Sequence, residues 1–135
     1  MSDDTVTIRS ARRDEAQQLS ELALRSKAHW GYSAAFLAAV RDELSYRGDQ
    51  IESADMRFAV LEVDGAAVGF YALKLLSAAA VELDSLFVEP RCIGRGFGRT
   101  LIEHAKTAAR QLGARQMIIQ GDPYAEPVLD RKSVV

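Results

Sequence analysis

Apolar and polar positions along the 135-residue chain alternate with two periods, and the period changes mark the elements. From Thr5 to Arg9, Val6 and Ile8 alternate with polar neighbours, which predicts a short first strand. From Asp14 to Lys27 the spacing of Leu19, Leu22 and Ala23 predicts a helix, with Asp14 and Glu15 at its positive end. Ser33 is placed to cap a second helix running to about Leu44, on which Phe36, Val40 and Leu44 recur every four residues. Ser45 to Asp55 is polar and reads as loop. Arg57 to Val63 and Ala66 to Leu75 read as two strands joined by the hairpin signal Asp64-Gly65, and Gly69 inside the second suggests a bulge or a close backbone approach. Val81 to Val88 is the next strand. A helix follows to about Leu112, carrying Leu101, Ala105, Ala108 and Leu112 and stopped by Gly113. Gln116 to Gln120 is a last short strand, stopped by Gly121-Asp122-Pro123.

The order is strand, two helices, three antiparallel strands, helix, strand. A strand–helix–strand crossover is almost always right-handed, so the strand ending at Val88 and the one at Met117 should be parallel neighbours. This predicts an α/β (α+β) domain: a mixed, mostly antiparallel sheet flanked by helices, with one parallel pair. The length fits a single domain, 1–135.

Composition mostly excludes. With 48% apolar and 27% charged residues the balance is that of an ordinary globular chain. A net charge of −2 argues against a nucleic acid or an anionic membrane as partner. No apolar run approaches a membrane span, and Met1-Ser2-Asp3-Asp4 lacks the features of a signal peptide. The single cysteine, Cys92, precludes an internal disulfide and suits a reducing cytoplasm. No metal-ligand spacing is present.

The chemistry is concentrated between Val81 and Leu112. After the strand come Pro90 and then Gly94-Arg95-Gly96-Phe97-Gly98, three glycines at alternate positions where the chain enters a helix. Glycine lets a backbone approach a ligand closely, and a helix N-terminus adds unpaired N–H donors and about half a positive charge. The reading is a phosphate or pyrophosphate site. A Walker loop is excluded because Arg99-Thr100 stands where Lys-Ser/Thr is required. A dinucleotide fold wants G-x-G-x-x-G directly after the strand; here five residues intervene and the spacing differs, although Asp122 stands about where a ribose-binding acid would.

The stretch resembles the acyl-CoA-binding motif of the GNAT N-acetyltransferases: strand, V-x-P, short turn, (R/Q)-x-x-G-x-(G/A), helix. Val88-Glu89-Pro90 and Ile93-Gly94-Arg95-Gly96-Phe97-Gly98 supply it, with Ile93 at the usual Arg or Gln position. The element order resembles that fold from Thr5 to about Ala125. The resemblance implies acetyl-CoA as co-substrate and transfer of its acetyl group to a primary amine, of a small molecule or a peptide, by direct attack. It implies that the parallel strands splay, that Leu86, Phe87 and Val88 offer backbone groups to the pantetheine arm, and that Gly94, Arg95, Gly96, Phe97, Gly98 and Arg99 hold the pyrophosphate.

For the base, the resemblance points to Glu82, six residues before Val88. Alternation puts Glu82, Asp84, Leu86 and Val88 on one face. The segment after the first helix walls the acceptor site in this family, which makes His29, Trp30 and Tyr32 substrate candidates. Asp122-Pro123 begins the family's next motif, but Val128 and Leu129 stand where Phe and Tyr are usual, and that Tyr commonly protonates the thiolate. The family's two last strands are missing or replaced. The Gln116 to Gln120 strand should therefore leave an open edge, which favours a homodimer. The alternative is a catalytically weak CoA-binding domain.

Overall fold

The computed structural model describes residues 5–29, 31, 33–42, 44–119 and the backbone of 132–134. Its elements are β1 (Val6–Ser10), α1 (Ala16–His29), α2 (Ala34–Val40), α3 (Gly48–Ile51), β2 (Met56–Val63), β3 (Ala66–Leu75), β4 (Ala80–Val88), α4 (Phe97–Gln111), β5 (Gln116–Ile119) and β6 (Lys132–Val134). Short 3-10 turns at Arg13–Glu15 and Pro90–Cys92 lead into α1 and out of β4. The strands form one sheet in sequence order, antiparallel throughout except for the parallel pair β4–β5.

The sheet separates two apolar layers. On the α4 side Leu61, Tyr71, Leu73, Val81, Leu83 and Val88 pack with Leu101, Ile102, Ala105 and Ala109. Leu101 and Ile102 are essentially inaccessible, and burying each contributes roughly 2 kcal/mol. On the α1 side Phe58, Val60, Phe70 and Ala72 pack with Leu19, Leu22, Ala23, Leu44, Tyr46 and Ile51.

Local chemistry explains the elements. Asp64 and Gly65 both have positive φ, 52° and 86°, as a two-residue hairpin turn requires. The Ser33 side chain accepts from the Phe36 N–H and caps α2. Gly69 fulfils both sequence expectations. The β2–β3 register shifts beside it, and an added Cβ would stand 3.1 Å from Leu101 Cδ1 and 3.1 Å from the Phe87 carbonyl. Its lack of a side chain lets α4 and β4 close on β3.

Four expectations need correction. The second helix ends at Val40, not Leu44; Leu44 reaches the core through a turn in which its N–H meets the Arg41 carbonyl. The polar stretch contains the one-turn helix α3, which buries Ile51. The buried face of α4 runs through Ile102 and Ala109, and Leu112 is exposed. The outer edge of β5 is not open: β6 pairs with it, Gln116 opposite Val134 and Ile118 opposite Lys132. The reason given for a homodimer disappears with that edge.

Candidate active site

Three features converge where β4 meets α4. The first is a bulge. Ala72 of β3 faces Ser85 while Leu73 faces Leu83, so Asp84 is an extra residue in β4. Before it Val81 and Leu83 point to the α4 side; after it Leu86 and Val88 do, and Phe87 points to the α1 side. The expectation that Glu82, Asp84, Leu86 and Val88 share a face is thus overturned. Glu82 shares its face with Ser85 and Phe87, because the bulge inverts the alternation.

The second feature is a fork. Parallel pairing of β4 with β5 runs from Ala80–Gln116 to Leu83–Ile119. Beyond it β4 continues to Val88 on its pairing with β3, Val88 opposite Gly69 and Leu86 opposite Tyr71. Among the described residues, the other backbone edge of Leu86, Phe87 and Val88 has no strand beside it. Half-buried Glu82 stands one residue before the last pair of the fork.

The third feature is the turn. Gly94 and Gly96 have φ of 91° and 84°, and an added Cβ at either would meet nothing within 4 Å. The left-handed backbone demands glycine there, and the space outside the turn is open. Gly96 caps α4, accepting from the N–H and the hydroxyl of Thr100. Among the described residues, no backbone carbonyl receives the N–H of Gly94, Gly96, Phe97, Gly98 or Arg99. These are the donors that the start of a helix leaves over. Arg91, Arg95 and Arg99 are exposed around them, and the Arg95 guanidinium lies 4.9 Å from the centre of the Phe97 ring. The cradle is cationic and presents backbone donors, and it fits a pyrophosphate.

The structure therefore brings together Leu86, Phe87, Val88, Gly94, Arg95, Gly96, Phe97, Gly98 and Arg99, with Glu82 at the fork. His29 is the exposed last residue of α1. Trp30, Tyr32 and Asp122 lie outside the described residues, as do Val128 and Leu129. Buried Cys92 packs in the α4-side layer.

Sequence reading missed two arrangements. Arg25 of α1 bonds Glu89 through two parallel contacts, Nε to Oε1 and Nη2 to Oε2, each 2.8 Å. The guanidinium holds the Glu89 carboxyl below its ordinary range. Nothing local signals a pair 64 residues apart. The other runs from the buried Tyr46 hydroxyl, 2.8 Å from Ser85 Oγ, to Asp84 Oδ2, 3.4 Å beyond. Ser85 has one hydroxyl proton and gives it to Asp84, so Tyr46 donates to Ser85. Burial pushes the Tyr46 hydroxyl up to about 12, so it stays protonated.

A concavity of about 530 Å³ lined by Arg12, Arg13, Asp14 and Gly48 lies apart from β4 and the turn, and its arginines are paired with Asp14 and Glu52. Among the described residues no cluster of His, Cys, Asp and Glu could hold a metal, and no helix is long and apolar enough to cross a membrane.

The pattern of the Acetyltransferase (GNAT) family matches residues 17–128, and the chain belongs to this family of acetyltransferases. Solved structures agree in fold. The PaiA N-acetyltransferase of Thermoplasma acidophilum, in complex with coenzyme A, superposes with a TM-score of 0.73 at 22% identity over 84% of this chain and 77% of its own. A GNAT acetyltransferase from Brucella melitensis, in complex with acetyl-CoA, gives 0.65 at 23% identity over 87% and 77%. The ribosomal-protein-S18-alanine N-acetyltransferase of Escherichia coli gives 0.63 at 18% identity over 84% and 64%. No curated protein matches the chain. Acetyl-CoA is the co-substrate of the family, and the dinucleotide reading falls away.

Proposed function

We propose that the chain transfers the acetyl group of acetyl-CoA to a primary amine of a small molecule or peptide by direct attack. The observation that carries this is the pair of backbone surfaces at the end of β4: the edge of Leu86–Val88 beyond the fork at Leu83, and the N–H groups of Gly96–Arg99 at the turn. In this reading the turn holds the pyrophosphate, and the edge of Leu86, Phe87 and Val88 takes the pantetheine amides. The thioester then comes to the fork, within reach of Glu82.

Acetyl-CoA supplies an activated acyl group. The amine nitrogen bonds to the carbonyl carbon as the C–S bond breaks, Glu82 takes the proton the amine loses, and the thiolate takes one from solvent. Glu82 suits this role by place: half-buried on β4, next to the last strand pair. The protein works in a reducing compartment, the cytoplasm, consistent with its free Cys92.

The test is thiol release from acetyl-CoA with a panel of primary amines. Glu82→Gln should lower kcat by about 10²–10³-fold and leave acetyl-CoA affinity unchanged. Thiol release that is independent of amine, or an unchanged kcat in Glu82→Gln, would defeat the respective half of the reading.

A further inference from the structure

Glu89 is fixed at every polar atom. Its N–H donates to the Val68 carbonyl at 2.7 Å, an acceptor presented at the bulge of β3. Its carbonyl receives the Cys92 N–H at 2.8 Å, closing the 3-10 turn after Pro90. Its carboxylate, 13% exposed, is held by Arg25 at both oxygens. From here the chain runs through Pro90–Cys92 directly into Gly94–Gly98. Where the donors of the turn point thus depends on where Glu89 sits.

Glu89 is also the one acid between Asp84 and Glu103. A carboxylate five residues before a phosphate cradle repels an incoming pyrophosphate unless it is neutralised. Arg25 reaches it from α1, a different element, and a two-pronged arginine–carboxylate contact fixes geometry as well as charge.

We propose that Arg25 is a positioning residue for the cofactor turn: it holds Glu89, neutralises its charge, and thereby sets both the aim and the electrostatic potential of the pyrophosphate cradle. This rests on the reading of the turn given above. It makes a prediction with a sign that mere stabilisation of the fold does not share. Arg25→Gln leaves Glu89 charged and unpaired beside the cradle. Glu89→Gln removes the charge, and the double variant Arg25→Gln/Glu89→Gln removes both.

The experiment is calorimetric titration of the full chain with acetyl-CoA, with S-acetylpantetheine, which lacks the pyrophosphate, alongside. Arg25→Gln should raise Kd for acetyl-CoA by roughly 5- to 10-fold at low salt, with a smaller loss at about 0.5 M salt. Glu89→Gln should stay within about 2-fold, and the double variant should bind better than Arg25→Gln alone. Arg25→Lys should restore part of the affinity. Affinity for S-acetylpantetheine should not respond to any of these changes. Wild-type binding with Arg25→Gln equally tight, or a double variant weaker than Arg25→Gln, overturns the inference alone. Failure of the wild type to bind acetyl-CoA overturns the reading of the turn and this inference with it.

Discussion

Two arginine–carboxylate contacts flank α1, and they differ in what surrounds them. Before its start Arg9 of β1 bonds Glu15 at 2.8 and 2.7 Å, and also holds Glu62 of β2. Glu15 is 3% exposed and accepts the Arg12 N–H as well, so three hydrogen bonds from two neighbours satisfy one buried carboxylate. Towards the other end Arg25 is half exposed and has Glu89 as its partner. The geometry of the two contacts is nearly the same. The first is part of the core and joins β1, β2 and the entry to α1. The second stands between a helix and the segment that leads into the glycine turn. A buried network contributes mainly to stability, whereas a half-exposed pair contributes little stability and acts through position.

The largest expected effect breaks the first contact. Glu15→Gln leaves Arg9 with a weaker partner and should destabilise the fold by about 2–3 kcal/mol, read as a lowered urea midpoint at unchanged slope.

Acid sharpens the comparison next. Arg9 lowers the Glu15 pKa, and Arg25 lowers that of Glu89. Both folded values lie below the unfolded one, so their contribution is complete above about pH 5 and is lost as pH falls through the folded values. Urea unfolding at pH 7 and pH 3 should show a shallower acid loss for Glu15→Gln than for wild type. For Glu89→Gln the change in slope should be smaller. A larger change in Glu89→Gln would reverse the ranking of the two contacts.

Arg25→Gln should cost only about 0.5–1 kcal/mol of stability, measured by the same denaturation. The smallest effect is expected at the exposed pair Arg12–Asp14, 3.2 Å apart: Asp14→Asn should stay within about 0.5 kcal/mol. If Asp14→Asn matched Glu15→Gln, burial would not be what separates these contacts.

The parts of the fold legible in the sequence are those fixed by local rules. Asp64-Gly65 announced its hairpin because both central residues need positive φ. Gly69 announced a bulge and a close approach because a side chain there would crowd Leu101 and the Phe87 carbonyl. The stretch from Val81 to Met117 dictated strand, turn, helix and parallel strand, since three glycines and a period change leave little else. The one-turn α3 escaped because a single buried Ile51 among polar neighbours carries no period. The face of Glu82 escaped for a sharper reason. Alternation counts residues, and the extra residue at Asp84 shows only when β4 is laid against β3. Arg25 and Glu89 are invisible to any local rule, being joined by the tertiary fold alone. Of the candidate site, the glycine turn that opens α4 was therefore readable. The orientation of the carboxylate at the fork, and the contact that anchors the turn, were not.

The bulge in β4 has a meaning for the sheet as a whole. In a crystal, one extra unit in a single row is a dislocation, and the adjoining rows cannot all keep step past it. β4 carries such a unit at Asp84, and its last described pair with β5, Leu83 with Ile119, falls immediately before it. Deleting Asp84 would restore step and leave Val81, Leu83, Leu86 and Val88 in one unbroken alternation on the α4 side. The point at which β4 leaves its described pairing with β5 thus coincides with a counting defect in the strand, one residue long.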